Sequence, residues 1–327
     1  MGEGYALVEL SATRPTGMNL ASHETSAVNT PPQCPVCGSK EARRSFAKDG
    51  FRHYSCSECD LLFLFPVPSP EELDAYYVAG ADDTRSSQCW EREDFDYRHY
   101  EPIWERALES IERSAGRGPL LDVGCGGGQF LAFARERGWS ELVGVEPSPP
   151  AAAHARSRTG AEILETDFLS CNLEPERFSG VTMWNVIEHT PTPRLVLRQV
   201  RRMLGARGTF VADCPNRYGL TMRIIGKEAF VVMPPEHLAY FSHRSLRALL
   251  EPEGFQVSQM SCNTIYVNDW VRFLSKPKNE RSARASHLNW YARLTSTEAL
   301  LRMIDLVNVV LDKTRLGDQM LVVAEKR

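Results

Sequence analysis

The stretch "LLDVGCGGGQF", residues 120–130, constrains the fold of this chain more than any other. A short apolar run leads into it and the helical pattern "GGQFLAFARERG" leads out, so the loop joins a strand to a helix. Gly124, Gly126 and Gly128 allow a tight turn in which a ligand comes close to the backbone, and the helix start offers free N–H groups. Strand and helix patterns continue to alternate after it, which predicts a parallel sheet covered by helices on both faces.

A dinucleotide-binding loop is the main competitor for such a glycine run. The fingerprint of that loop is G-x-G-x-x-G. Counted from Gly124 the sixth position is Gln129, and counted from Gly126 it is Leu131, so neither frame fits. The loop follows the pattern D-x-G-x-G-x-G instead, with Asp122 two residues before the first glycine.

Acidic residues stand at the ends of the next two predicted strands. Glu146 ends the strand pattern "ELVGVE", where an acid can hydrogen-bond both hydroxyls of a ribose. Asp167 ends the following pattern, "AEILETD", and is placed to meet an adenine edge. Three successive strand ends with suitable groups indicate a ligand site more specifically than the glycine loop does alone.

Together these residues resemble the class I S-adenosylmethionine-dependent methyltransferases, from about Pro119 to Phe255 and plausibly in the final strand. The resemblance implies an α/β, Rossmann-like fold with a mostly parallel seven-stranded sheet and helices on both faces. It also implies S-adenosyl-L-methionine as the cofactor. The positions that it implies for binding this methyl donor are Asp122, Gly124, Gly126, Gly128, Glu146, Asp167, Phe168 and Asn185.

Four cysteines precede this region with the spacing C-x2-C-x18-C-x2-C: Cys34, Cys37, Cys56 and Cys59. The spacing predicts a zinc site, because each short turn aims two sulfurs at one ion. Four thiolates leave no open position on the metal, so we expect a structural role. A zinc ribbon that reads nucleic acid is the alternative.

The cysteine segment also resembles the metal-binding N-terminal module of a subset of these methyltransferases, although Asp60 stands where members usually carry glycine. Larger sugar C-methyltransferases with this module have a further C-terminal domain. The chain is short for such a domain, so we do not expect C-methylation of a sugar.

Three residues are candidates for the chemistry. In "WNVIEHTPTP" the resemblance places Glu188 and His189 at the mouth of the pocket, and His189 is the first candidate for a general base because the ordinary pKa of histidine lies near working pH. His189 is alternatively a structural residue bonded to backbone, or a ligand with Glu188 to a divalent ion. His237 lies in "MPPEHLAYFS", after the predicted strand "TFVADCPN", and is the rival candidate for the general base. Its structural alternative is a capping or packing residue before the next helix.

The composition patterns predict the following organisation: a weakly ordered leader at 1–33, a zinc-binding module at 34–66, a helical lid or connector at 67–114, and a methyltransferase domain at 115–327 with acceptor-lid insertions at about 217–241 and 263–316.

Charge and hydropathy limit the partners. Lys and Arg total 38 against 42 Asp and Glu, a formal net charge of -4, which argues against nucleic acid as a partner. No apolar run reaches the ~20 residues of a membrane span, and no signal peptide is apparent, so we expect a cytoplasmic protein that does not enter membranes. The sequence does not indicate an oligomeric state.

These observations predict an S-adenosylmethionine-dependent methyltransferase that acts on a small-molecule acceptor behind a structural zinc module. O-methylation of a sugar, nucleotide sugar or secondary metabolite is the first expectation. The alternatives are a zinc-ribbon methyltransferase acting on RNA or protein, C-, N- or carboxyl-methylation of a small molecule, and a catalytically degenerate binding protein.

Overall fold

The computed structural model describes residues 32–69, 71–73, 100–229, 231–266, 269–270, 273–274 and 298–327. The strands are β1 Ala42–Lys48, β2 Phe51–Cys56, β3 Leu62–Leu64, β4 Leu120–Val123, β5 Leu142–Val145, β6 Glu162–Leu164, β7 Phe178–Trp184, β8 Leu204–Pro215, β9 Ala239–Tyr240, β10 Phe255–Asn263 and β11 Gln319–Lys326. The helices are α1 Glu101–Ala115, α2 Gln129–Glu136, α3 Pro149–Thr159, α4 Pro193–Met203, α5 Leu220–Ile224, α6 His243–Leu250 and α7 Glu298–Thr314.

Seven strands form the large sheet, in the order β10-β11-β8-β7-β4-β5-β6. The strands from β8 to β6 are parallel, whereas β11 is antiparallel to both of its neighbours. The central strands β4 and β5 are buried throughout, as expected for a sheet covered on both faces. The seven-stranded, mostly parallel Rossmann-like fold predicted from the sequence is therefore confirmed.

Helix α1 belongs to the layer of helices on this sheet. Its buried residues recur at helical spacing, and it contacts strands β7, β8 and β11 and helix α2. Gly180 on β7 gives the helix room, because a Cβ there would lie 2.7 Å from Ile111 Cδ1. The sequence placed this helix in a connector or lid at 67–114, but its apolar face makes it part of the large domain.

A second, smaller sheet has the order β1-β2-β3-β9. Strands β1, β2 and β3 come from the four-cysteine segment, but β9 comes from the insertion predicted at about 217–241. Pairing of β3 with β9 joins Leu62 to Tyr240 and Phe63 to Ala239 in antiparallel register. The cysteine module and this insertion therefore share one sheet, which the sequence divided between two units.

Arg217 connects the module to the large domain a second time. Its guanidinium donates hydrogen bonds to the carbonyl oxygen of Asp60 and, at 2.7 Å, to Ser55 Oγ. Ser55 lies in β2, and Asp60 has a φ of 62° in the turn after the last cysteine. A side chain near the end of β8 thus contacts both a strand and a turn of the module.

Some predicted regions lie outside the described residues. The leader at 1–33 is described only from residue 32, and half of the insertion predicted at about 263–316, mainly 275–297, is not described. Among the described residues, no helix has the length and apolar character needed to cross a membrane.

Candidate active site

The glycine loop is a left-handed turn between β4 and α2. Gly124, Gly126 and Gly128 have φ values of 69°, 52° and 78°, a region that glycine adopts without strain. A Cβ on Gly124 would lie 2.6 Å from Val186 Cγ2, and one on Gly128 would lie 2.9 Å from Thr159 Cγ2. A Cβ on Gly126 would meet nothing within 4 Å. Gly124 and Gly128 therefore allow the close packing of their neighbours, while Gly126 borders open space.

Glu146 connects the end of β5 to this loop. Its Oε2 accepts a hydrogen bond from the N–H of Gly126 at 2.9 Å, and its Oε1 accepts one from the N–H of Ser148 at 2.9 Å. Burial raises the pKa of this carboxyl, and the two N–H donors oppose that shift. A carboxylate offers about four lone pairs, so the side chain is fixed in place and still has capacity for ribose hydroxyls.

Asp122 is buried within strand β4 and does not lie at the exposed surface of the glycine loop. The side chain is 1% exposed, and its Oδ1 accepts a hydrogen bond from Thr182 Oγ1 on the neighbouring strand β7 at 2.7 Å. Burial raises the pKa of Asp122 to about 8. This hydrogen bond gives the carboxyl a direct role in holding β4 to β7. Its contact with S-adenosylmethionine remains a prediction.

The third strand end differs in exposure from the second. Asp167 is exposed, and its Oδ1 accepts a hydrogen bond from the N–H of Leu169 at 2.8 Å, which caps a short helical turn. Phe168 is buried in that turn. The exposed edge of Asp167 is free for solvent or ligand, as the adenine prediction requires.

Asn185 ends β7 because it adopts a left-handed conformation, with φ 53°. Its N–H donates to Asp213 Oδ1 at 2.8 Å, and Gln319 Nε2 donates to both Asn185 Oδ1 at 2.7 Å and Asp213 Oδ2 at 2.8 Å. Burial raises the pKa of Asp213 to about 6. Sequence reasoning missed Asp213 and Gln319. The available signal was a polar residue on each of two otherwise apolar strands, in "FVADCP" and "DQMLVV".

Beyond Asn185 the chain makes one helical turn, Ile187–His189, which carries two of the candidate catalytic residues. The third, His237, lies on the insertion and immediately precedes Leu238, whose N–H donates to the carbonyl oxygen of Glu188 at 2.9 Å. The rings of His189 and His237 are 4.8 Å apart between centroids, nearly perpendicular. The structure therefore brings all three candidates together, and the two histidines share one site.

Burial favours the uncharged forms of Glu188, His189 and His237. Burial raises the pKa of Glu188 well above its ordinary range. Burial also lowers the pKa of His189, and burial together with the neighbouring His189 lowers the pKa of His237 well below the ordinary range. Both imidazoles are therefore neutral near pH 7, the form that accepts a proton or binds a metal.

The four cysteines also lie together, with their sulfurs within 4.8 Å of one another. Cys34 Sγ lies 3.6 Å from Cys59 Sγ, and Cys37 Sγ lies 3.6 Å from Cys56 Sγ. Bonds of about 2.3 Å from sulfur to a tetrahedral zinc ion place the sulfurs about 3.8 Å apart. The donor set and its spacing therefore fit zinc.

Comparison with known proteins agrees with this geometry. The family described as "Methyltransferase domain" matches residues 95–260. The ubiquinone biosynthesis O-methyltransferase of Azorhizobium caulinodans is 27% identical over 153 residues, which cover 43% of this chain and 60% of that protein. The chain thus spans about 60% of the length of this relative.

Two solved structures are similar at low sequence identity. The cyclase SpnF is 15% identical, with a TM-score of 0.52 over 80% of this chain and 98% of its own. A SAM-dependent methyltransferase from Archaeoglobus fulgidus is 18% identical, with a TM-score of 0.46 over 77% of this chain and 99% of its own. At such identities a structural likeness concerns the fold, whereas the family match extends over half of the sequence. The chain belongs to the methyltransferase domain family, in its class I form.

Proposed function

We propose that this protein transfers a methyl group from S-adenosylmethionine to a hydroxyl oxygen of a small molecule. The observation that carries the proposal is the contact between Glu146 and the N–H of Gly126. It holds an acid beside an open glycine turn at the carboxyl end of a parallel sheet, where ligands bind in open α/β folds.

The donor would lie along this edge of the sheet. Gly126 gives it room, Glu146 would accept hydrogen bonds from the ribose hydroxyls, and Asp167 would meet the adenine edge. Asn185 would lie near the methionine end, held by Asp213 and Gln319. Bound S-adenosylmethionine supplies a methyl group on a positively charged sulfur that an oxygen can displace.

The acceptor would approach from the side of His189 and His237. A neutral imidazole at this position can accept the hydroxyl proton, and such general base catalysis typically contributes about 10²–10⁴-fold. The relatives in ubiquinone biosynthesis carry the name O-methyltransferase, which supports oxygen as the acceptor atom. The sugar, nucleotide-sugar or secondary-metabolite acceptor expected from the sequence remains part of this proposal.

The N-terminal module would hold one structural zinc ion on its four thiolates. Its role would be to stabilise a segment too small for a core of its own. The four cysteines are not joined in disulfides, which is typical of reducing compartments, so a cytoplasmic location remains our expectation.

An acceptor screen tests the proposal. The full chain would be incubated with S-adenosylmethionine and sets of small phenols, catechols, sugars, carboxylic acids and amines, with RNA as a separate set. We expect release of S-adenosylhomocysteine with at least one hydroxyl acceptor, and loss of that activity in Glu146→Ala. Donor binding without methyl transfer to any set would contradict an enzymatic role, and transfer only to carboxylic acids, amines or RNA would contradict hydroxyl methylation.

A further inference from the structure

Glu188, His189 and His237 form a cluster whose ligand atoms all lie within 4.8 Å of one another. They come from two separate segments, the turn after β7 and the insertion before β9. The backbone hydrogen bond from Leu238 to Glu188 holds these segments together. A backbone hydrogen bond, and not side-chain contact alone, therefore holds the cluster's two segments together.

Both imidazoles are oriented by backbone. His189 Nδ1 lies 2.8 Å from the carbonyl oxygen of Glu236, and His237 Nδ1 lies 2.8 Å from that of Val231. A carbonyl oxygen can only accept, so each Nδ1 carries the proton and each Nε2 keeps a lone pair. Histidines that bind metals usually have this arrangement, with the other ring nitrogen held by a carbonyl or carboxylate.

Glu188 supplies a second, independent observation. Its side chain is 0% exposed, and neither carboxylate oxygen has a hydrogen-bond partner among the described residues. His189 Nε2 lies 3.9 Å from Oε1, which is too far for a hydrogen bond. A buried polar group without a partner is destabilising, and a cation would satisfy it.

We propose that Glu188, His189 and His237 bind a divalent transition-metal cation, which holds the acceptor's hydroxyl oxygen. Two imidazoles and one carboxylate suit manganese, iron, cobalt or zinc better than magnesium, which prefers oxygen ligands. Such a set leaves coordination positions open. The side chain of His189 is 27% exposed, so this member of the cluster contacts solvent.

The acceptor half of this inference rests on the proposed function. Coordination lowers the pKa of the bound hydroxyl, as it does for water. The O–H bond breaks and its proton passes to solvent. The oxygen's electron pair forms the new C–O bond while the S–C bond of the donor breaks and leaves its pair on sulfur. In this arrangement both histidines are ligands, so neither lone pair is available for general base catalysis, and coordination to the metal activates the hydroxyl instead.

Manganese is the probe for the metal half, because it binds oxygen and imidazole and competes poorly for thiolates. The full chain with its cysteine module intact would be titrated with Mn²⁺ and free Mn²⁺ measured by electron paramagnetic resonance. We expect one bound ion per chain, at least tenfold weaker binding in Glu188→Gln and His189→Gln, and unchanged binding in the control His154→Gln. Glu188→Gln preserves shape and replaces a buried carboxyl with a neutral amide, so we expect it to fold.

A measurement on the wild-type protein supports the titration if a variant fails to fold. Mn²⁺ should raise the thermal midpoint of the wild-type chain, and spin echoes from the bound ion should show coupling to imidazole nitrogen. No binding at millimolar Mn²⁺, or binding without nitrogen coupling, would overturn the metal site. Metal binding without methyl transfer to any acceptor would instead overturn the proposed function and leave the site standing. If methyl transfer persists after chelation and in Glu188→Gln, the proposed function stands, but the metal has no part in the reaction.

Discussion

The carboxylate of Glu146 holds the glycine loop and is also expected to bind the methyl donor, and Glu146→Ala removes both contacts. The carboxylate fixes the glycine loop through Gly126, and it is expected to accept the ribose hydroxyls. Glu146→Ala should weaken S-adenosylmethionine binding about tenfold or more, because each charge-assisted hydrogen bond contributes roughly 1.5–3 kcal/mol. Isothermal calorimetry measures the change, and Glu165→Ala, at an exposed surface pair with Arg156, is the control. Equal affinity in the two variants would mean that the donor lies elsewhere.

Asp122 should make the free energy of unfolding fall as the pH rises, which is the opposite of the usual effect of a carboxyl group. Its pKa is raised by burial to about 8, compared with about 3.9 in an unfolded chain. Between these values the folded chain holds a proton that the unfolded chain has lost. The stabilisation is therefore complete below about pH 4 and is lost as the pH rises towards 8.

Asp122→Asn should remove this dependence, since an amide remains neutral. We expect its free energy of unfolding to change less than that of the wild type between pH 5 and pH 8, the difference being on the order of a few kcal/mol. Urea unfolding at several pH values measures it. Parallel pH profiles for variant and wild type would show that Asp122 titrates normally.

Within the glycine loop, Gly126 and Gly128 should respond differently to the same substitution. Gly126→Ala places a methyl group in open space, so stability should fall by only about 1 kcal/mol while donor affinity falls more than tenfold. Gly128→Ala pushes a methyl group against Thr159 and Ala155, so stability should fall by more, about 1–3 kcal/mol. Thermal unfolding and donor titration of both variants test the contrast, and unimpaired donor binding by Gly126→Ala would remove the loop from the site.

Elements whose signals are local could be predicted from the sequence. The glycine loop, the acids after β5 and β6 and the cysteine spacing all depend on nearby residues, and the structure has each where the pattern indicated. Strand β7 ends at Trp184 although the apolar residues Val186 and Ile187 follow it, because Asn185 takes a left-handed conformation. Pairing of β3 with β9 could not be predicted, since it joins residues far apart in sequence and β9 is only Ala239–Tyr240.

The same limit applies to the candidate site. His189 and His237 were predicted as rivals because they lie on different segments of the sequence. The structure puts their rings side by side, and the backbone carbonyls that orient them come from Glu236 and Val231. Backbone groups carry no sequence signal, so neither the shared site nor the ring orientation could be read from residue types.

Across the whole molecule, the cysteine module should affect the acceptor side of the site more than the donor side. Removing the proposed zinc ion, or replacing Cys56 with serine, should loosen β3 and with it β9, which begins two residues after His237. Arg217→Met, which breaks two hydrogen bonds to the module and keeps the cysteines, should act similarly but more weakly. We expect a lower thermal midpoint and a higher acceptor KM with donor affinity within a few-fold of wild type. Metal analysis and steady-state kinetics check this, and equal losses for donor and acceptor would contradict it.

The position of β11 also determines when this fold can form. Gln319–Lys326 lies inside the large sheet, between β10 and β8, and Gln319 supplies the amide that holds Asn185 and Asp213. During synthesis, β4 to β8 emerge from the ribosome about a hundred residues before their neighbour, and a growing chain extends at about 5–20 residues per second. For several seconds the edge of β8 is exposed without its partner. The nascent chain therefore passes through a stage in which the glycine loop exists and the hydrogen bonds of Gln319 to Asn185 and Asp213 do not.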